Sequence, residues 1–482
     1  MSLTARELID LVLDADSWQS WDEPPTYPEA DDAYRDTLAR AKEKAGTDES
    51  LITGTATLRG RRVAVIVGEF GFLAGSIGRA AADRLVAAVE RATREGLPLL
   101  AAPISGGTRM QEGTPAFVQM VRITAAVAAH KEAGLPYLVW LRNPTTGGVM
   151  ASWGSLGHLT AAEPEALVGF LGPRVFEVLY GEQFPAGVQT PENLRDKGII
   201  DAVLAAQDLA EAADRVLTIL CAPKSDYPDP VDEEVGEVST WAAITSTRRE
   251  DRPGVRDLLA SATSHAVLNG TGAGERGPGV VIALALFGGQ SCVVAGQDRV
   301  AQREQAMGPA ALRAARRAAR LAGQLNLPLL TVIDTPGADL SKEAEEGAMA
   351  GEIARTIEAL VRLPTPTVSL LLGEGNGGGA LALLPADRVL AARRAWLSPL
   401  PPEGASAIVH RDRDHAAEMA ESQQVLAIQM RQRGHVDRII AESPDAADEP
   451  AAFCARVRAV LTAELANLSG PDLERRANRF RG

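Results

Sequence analysis

The sequence predicts two tandem α/β domains of one fold, and three observations predict it. Apolar strand-like runs alternate with glycine turns and helix-like runs in both halves of the chain. That alternation is the pattern of a sheet covered by helices. A set of motifs in the first half returns in the same order in the second. An acidic, proline-rich stretch at 222–254 separates the copies, and the boundary is read there, giving domains 1–223 and 224–482. A chain of 482 residues also exceeds one ordinary core.

The elements follow in order. Residues 3–14 place Leu3, Leu8, Leu11 and Val12 on one side of a short amphipathic helix. Trp18 to Tyr34 is acidic and proline-rich and reads as an irregular surface segment. Strand runs at 51–58 and 61–67 are split by the turn Arg59-Gly60. A long helix follows Gly78, with Ala81, Leu85, Val86 and Val89 on one face, and stops at Gly96. Leu97 to Ile104 then reads as a buried strand.

The repeat is specific. Leu97-Pro98-Leu99-Leu100 returns as Leu327-Pro328-Leu329-Leu330, an offset of 230. The first copy runs into Ser105-Gly106-Gly107, the second into Asp334-Thr335-Pro336-Gly337. Pro144-Thr145-Thr146-Gly147-Gly148 is matched by Gly373-Glu374-Gly375-Asn376-Gly377-Gly378-Gly379, with Gly147 aligned to Gly378 at an offset of 231. Gly198-Ile199-Ile200-Asp201 is echoed by Gly434-His435-Val436-Asp437, an offset of 236. Copies of this length are domains, not units of a solenoid.

Composition narrows the function. A net charge of -14 argues against a general nucleic-acid binder, which needs a basic footprint. Cys221, Cys292 and Cys454 are far apart, so neither a zinc ribbon nor a disulfide framework is readable, and no metal is expected. The start of the chain has no signal-peptide pattern, and no apolar run is long enough to span a membrane. A cytoplasmic enzyme without membrane attachment is the expectation.

Each half has an apolar strand ending in a glycine cluster and then a helix of small residues. In the first half Leu138 to Leu141 leads to Gly147-Gly148; in the second Val368 to Leu372 leads to Gly375 to Gly379 and then Ala380-Leu381-Ala382. The first amides of a helix lack intrahelical partners and point outward with the positive end of the helix dipole. Glycine lets a ligand approach them. Such a turn suits an anion or a developing oxyanion. Tight turning or close helix–sheet packing is the other use of these glycines. No Gly-Lys-Ser/Thr follows either cluster, so neither is a P-loop. The run from Gly71 to Gly78 is not a dinucleotide fingerprint.

These residues resemble a known family. Phe70 to Gly78, Ser105 to Glu112, Pro144 to Val149 and the stretch from Ala162-Glu163-Pro164 to Gly172-Pro173-Arg174-Val175 are similar to the beta subunit of bacterial acetyl-CoA carboxylase carboxyltransferase. Asp334 to Ala338, Gly373 to Ala382, Pro402-Glu403-Gly404-Ala405 and Arg248 to Pro253 are similar to its alpha subunit. The resemblance covers roughly residues 50–460, and the N-terminal half is the closer match. It implies a crotonase-like superfold in each half, with acyl-CoA on the first and carboxybiotin on the second. It implies that Gly147 and Gly148 hold the thioester oxyanion. Gly378 and Gly379 would hold the ureido oxygen of biotin, whose leaving nitrogen serves as the base. Gly75, Ser76, Gly106, Gly107, Arg109 and Ala380 lie in the matched motifs and are the expected substrate contacts. The absence of any Ser-His-Asp or Cys-His signature fits a reaction without a side-chain nucleophile. The biotin is expected on a separate carrier, since no Met-Lys-Met attachment sequence or ATP-binding loop occurs. The expected partners are therefore a biotin carboxyl carrier protein and a biotin carboxylase. The resemblance also implies a homo-oligomer, a dimer or trimer of dimers, with the N-terminal half of one chain facing the C-terminal half of another.

The chain departs from the family in places. It lacks the four-cysteine ribbon of the beta subunit. The alpha subunit's usual Pro-Gly-Ala-Tyr is Pro336-Gly337-Ala338-Asp339, which points to a changed acceptor or partner. Its glycine-proline-rich segment is replaced by Ala306 to Ala310. Other residues carry two readings. Arg109 and Glu112 either contact CoA or close a helix start as an ion pair. His158 reads as structural. Glu374, between glycines, reads as a residue that orients its loop. Arg313, Arg316, Arg317 and Arg320 form one helix face, either solvated or a dock for CoA phosphates or an acidic partner.

Acetyl-CoA is the favoured acceptor, with propionyl-CoA or a longer acyl-CoA as alternatives. Two rival functions stand beside carboxyl transfer. A crotonase-like decarboxylase or hydratase would use the thioester site without biotin and would have no need of Gly378-Gly379. A non-catalytic paralogue would scaffold a carboxylase complex.

Overall fold

The computed structural model describes residues 3–231 and 236–481. The chain divides into a unit of Met1–Leu217 and a unit of Thr218–Gly482. The division falls within the helix Leu209–Leu220, slightly ahead of the boundary read from composition. The reason is local. Ser291 Oγ donates to the Ile219 carbonyl at 2.5 Å, and Gln290 Nε2 donates to the Ser225 carbonyl at 2.5 Å. The chain is thus pinned to the second sheet at the start of the acidic stretch. That stretch also contains a helix, Thr240–Thr247, capped by Ser239 and packed through Ala243 and Ile244 against Trp396 and Leu426.

In the first unit Leu51–Leu58 and Arg61–Gly68 form an antiparallel hairpin, pairing Leu51 with Gly68 and Leu58 with Arg61. Arg59 and Gly60 turn it with φ of 47° and 81°, the doubly left-handed turn that matches strand twist. The helix Arg79–Arg94 then crosses back, and Leu99–Ala102, Tyr137–Leu141, Leu159–Ala162 and Ala202–Val203 add in parallel. Alanines 81, 88 and 92, with Leu85 and Val89, give Arg79–Arg94 a thin apolar face that closes on Ile66, Leu99 and Val139. Gly96 ends this crossover at φ 64°.

Residues 18–34 are more ordered than their composition suggests. Gln19–Ser20 adds to the sheet edge beside Gly54 and Thr55. The buried Arg84 donates to the Glu23 carbonyl and pairs with Asp48. A helix absent from the sequence reading, Asp32–Ala45, follows. It buries only Leu38 and Ala41, so its apolar period is faint, although Asp31 caps it and Gly46 ends it at φ 67°.

The second unit repeats this order. Val280–Phe287 and Gln290–Gln297 form the hairpin, Pro309–Leu325 crosses back, and Leu329–Thr335, Thr367–Asn376, Arg388–Ala392 and Arg438–Ile440 add in parallel. Matching hydrogen bonds register the copies. Gly78 and Gly308 stand ahead of the crossover helices at φ −96° and −91°. Ser105 Oγ accepts from the Gly107 amide at 2.9 Å, and Thr335 Oγ1 accepts from the Gly337 amide at 3.1 Å. Asp201 and Asp437 each accept from the amide of a neighbouring strand, at Thr160 and Val389.

Candidate functional site

The first glycine turn is built by spending backbone amides in sequence. Thr145 donates to the Leu167 carbonyl at 2.9 Å, Thr146 to Ser105 at 3.0 Å, and Gly147 to Phe170 at 2.9 Å. The short helix Gly147–Met150 starts there. Gly148 is its second residue, whose amide has no partner inside a helix. Among the described residues it has none outside it either. Gly147 sits at φ 63°, and a Cβ there would lie 3.2 Å from the Gly107 Cα. Glycine at both places lets two backbone turns meet edge to edge. Gly106, Gly147 and Gly148 are solvent-accessible, while Ser105, Thr145 and Thr146 below them are buried. The result is a bare amide at the rim of a rigid floor, the geometry of an oxyanion site.

The second turn matches it one residue away from the alignment made on sequence. Gly377, not Gly378, shares Gly147's place: it opens the helix Gly377–Leu381 at φ 64°. Three successive glycines hid this register. The accessible pair equivalent to Gly147-Gly148 is therefore Gly377-Gly378. Gly379 and Ala380 are buried, which corrects their placement as ligand contacts. A Cβ on Gly379 would lie 2.5 Å from the Met307 Cε, and its carbonyl accepts from Gln297 Nε2 at 2.8 Å. Both hold the helix to the sheet.

Four other expectations resolve into support. Arg109 is fully buried and bonds Glu49 and the Ser76 carbonyl, so it is not open to CoA. Burial pushes the Glu49 carboxyl up, but Arg109 and Tyr27 outweigh this and hold it below its ordinary value. Glu112 closes the helix start, accepting the Arg79 amide at 2.6 Å and Tyr34 Oη at 2.7 Å. Gly75 and Ser76 form the wall below: a Cβ on Gly75 would lie 2.2 Å from the Ile104 carbonyl. His158 is buried and its Nδ1 accepts from the Tyr137 amide at 3.0 Å. Burial, with Lys131 and His130 near, pushes it down to about 3. The arginine face is largely committed: Arg313 and Arg316 pair with Glu352, and Arg317 donates to the Asn269 carbonyl.

Charged side chains flank the second turn. Glu374 sits where the first half has Pro144, 230 residues earlier. Its Oε1 accepts from Asn376 Nδ2 at 3.0 Å and from Arg248 Nε at 3.4 Å. Burial pushes its carboxyl up to about 7, with Arg248 opposing and Asp334 adding to the rise. The first unit also holds a cavity of about 810 Å³ lined by Arg40, Lys44, Glu69, Phe70, Leu73 and Ala74 among others. The Ala74 carbonyl accepts the Gly106 amide at 2.9 Å, so one lining residue is bonded to the loop that packs against the turn. Among the described residues, no helix is long and apolar enough to cross a membrane.

Comparison with known proteins gives the family and the fold. A family model of the carboxyl transferase domain matches residues 2–478. The chain is 55% identical over 482 residues to a probable biotin-dependent acyl-coenzyme A carboxylase beta3 subunit of Mycobacterium tuberculosis (strain ATCC 25618 / H37Rv), covering 99% of this chain and 97% of that one. It is 37% identical over 475 residues to the acetyl-coenzyme A carboxylase carboxyl transferase subunits beta/alpha of Salinispora tropica, covering 93% and 84%. Among solved structures it superimposes on transcarboxylase 12S, crystallised as a hexamer with methylmalonyl-coenzyme A, at a TM-score of 0.75 and 22% identity over 95% of this chain and 89% of that one. A single-chain, multi-domain long-chain acyl-CoA carboxylase gives 0.73 and 19% over 94% and 45%. At these identities the structures speak for the fold, two tandem crotonase-like domains.

Proposed function

The chain belongs to the carboxyl transferase domain family and is a carboxyltransferase subunit of the biotin-dependent acyl-CoA carboxylases; from that premise we propose that its two glycine turns divide one reaction between them. The Gly148 amide stabilises the thioester oxygen as the acyl α-carbon gives up a proton. The Gly378 amide stabilises the ureido oxygen as the carboxyl group leaves its carrier-borne donor. The observation that carries this reading is the repetition of one turn, with the second helical residue solvent-accessible in both halves. A one-substrate decarboxylase or hydratase has no use for the second copy.

A cavity in the first unit supports placing the acyl-CoA on the first half. Arg40 and Lys44 offer cations for phosphates, and Phe70 and Leu73 offer apolar walls. The acceptor we propose is acetyl-CoA, giving malonyl-CoA, in keeping with relatives named for acetyl-coenzyme A. The donor is carboxybiotin on a biotin carboxyl carrier protein, recharged by a biotin carboxylase. We further read the working form as a homo-oligomer whose sites join the N-terminal half of one chain to the C-terminal half of another, since transfer needs both substrates within reacting distance.

Incubation with malonyl-CoA and free biotin tests the reaction. Biotin-dependent loss of the malonyl carboxyl group is expected; decarboxylation at the same rate without biotin would replace this reading with a decarboxylase. Carboxylation of acyl-CoAs of increasing length, with the native biotin carrier present, then ranks the acceptors. Full activity of the complex after bulky replacement of both Gly148 and Gly378 would leave only a scaffolding role.

A further inference from the structure

The two turns are alike in backbone and unlike in what holds them. In the first half Gly147 is preceded by Thr146, whose hydroxyl faces the Ser105 carbonyl at 3.4 Å. In the second, Gly377 is preceded by Asn376, whose Nδ2 is held by Glu374 at 3.0 Å. Glu374 is fixed from several sides. Its amide donates to Asp334 Oδ1 at 3.1 Å, and its strand segment pairs with Trp396–Ser398. Its carboxylate meets Arg248, whose Nη1 and Nη2 grip Glu403 at 2.6 and 3.1 Å. The Arg248 guanidinium also lies over the Trp396 ring, 5.7 Å from its centroid. A chain of contacts thus runs from Glu403 on the helix Pro402–Val409, through Arg248 and Glu374, to the residue that opens the turn.

We propose that Glu374 is a positioning residue for the second glycine turn: its carboxylate, tied to Arg248 on one side and Asn376 on the other, holds residues 376–378 in register for the carrier-borne substrate. This rests on the reading that the second turn serves biotin. At the first turn the same place is Pro144, which has no carboxylate.

A dependence on pH follows. The charged and titratable groups around Glu374 are Arg248, Glu403, Asp334, Arg299 and Arg252. Burial raises the Glu374 carboxyl toward neutrality against the pull of Arg248. When ionised it accepts from Asn376 Nδ2 and pairs with Arg248. When neutral it loses that charge and can itself donate, and Asn376 Oδ1, buried with no hydrogen-bond partner among the described residues, is the acceptor at hand. An Asn376 side chain turned to take that proton no longer fixes the turn in the same way. The biotin side should therefore weaken as pH falls through about 7, and the acyl-CoA side should not.

The test uses the intact protein with malonyl-CoA as donor and free biotin as acceptor, or methylmalonyl-CoA where that is the faster donor. Glu374→Gln keeps the shape and the acceptor oxygen but cannot ionise. At pH 8 it should lose about 10- to 100-fold in kcat/KM for biotin, with KM for the acyl-CoA within about twofold of wild type. At pH 6 the two proteins should converge, because wild-type Glu374 is then neutral as well. Should Glu374→Gln not fold, Arg248→Gln serves: removing the opposing cation should move the wild-type midpoint to higher pH. An equal deficit at both pH values, no deficit at all, or an unmoved midpoint overturns the role of Glu374 alone. A deficit confined to the acyl-CoA KM overturns the proposal together with the assignment of the halves.

Discussion

Arg109 and Asp339 stand at the same place in the two halves and do opposite things. The Arg109 amide donates to the Ile77 carbonyl and the Asp339 amide to the Met307 carbonyl, both at 3.0 Å. The Arg109 side chain turns inward onto Glu49. The Asp339 carboxylate turns along its own loop and accepts from the Ser341 amide and hydroxyl, both at 2.9 Å. The departure from the family at Asp339 is thus a local loop cap ahead of the helix Lys342–Glu346.

The Arg109–Glu49 pair yields the first prediction. Both side chains are fully buried, so removing one partner strands a charge. Arg109→Met should destabilise the first unit by about 3–5 kcal/mol in denaturant unfolding. The double variant with Glu49→Gln should recover much of that loss. If Arg109→Met instead left stability unchanged and raised only KM for the acyl-CoA, Arg109 would be a ligand contact.

His158 yields a pH prediction. Its folded value, about 3, lies below the unfolded 6.5, so the unfolded chain binds the extra proton between them. The stability associated with neutral His158 is present above pH 6.5 and is lost as pH falls toward 3. His158→Asn retains an acceptor for the Tyr137 amide and cannot take the proton. Thermal unfolding followed from pH 7 to pH 4 should fall less steeply in this variant. Parallel curves would remove His158 from the account.

Gly378 and Gly379 separate function from packing. A Cβ on buried Gly379 meets Met307, so Gly379→Ala should cost about 1–3 kcal/mol of stability with little change in KM. Gly378 is accessible, and a Cβ there would meet the end of the Ile353 side chain at 2.8 Å, which can turn aside, so Gly378→Trp should abolish transfer while the fold persists. The reverse pattern would restore Gly379 to the site.

Shared sites between chains predict complementation. Gly148→Trp and Gly378→Trp proteins, each inactive, should regain activity when refolded together. A mixed pair then contains one site with neither lesion. No recovery in a mixture shown to contain mixed oligomers would place every site within one chain.

The sequence by itself determined the α/β class, the duplication and the positions of both glycine turns. Strand period, turn chemistry and repeated order are local properties, written in residues close along the chain. The hairpins 51–58/61–68 and 280–287/290–297 and the crossover helix after Gly78 follow from such signals. Tertiary structure decided the rest. Gly377-Gly378-Gly379 offers no composition signal for which glycine opens the helix; strand pairing runs to Asn376, opposite Ser398, and the helix opens at Gly377. Arg109 is a buried strut only because Glu49, sixty residues earlier, folds beneath it. The carboxyl of Glu374 is pushed toward neutrality only where the surrounding walls and Asp334, from distant segments, outweigh Arg248. Burial and charge proximity are sums over neighbours in space, and those neighbours exist only once the chain has closed on itself.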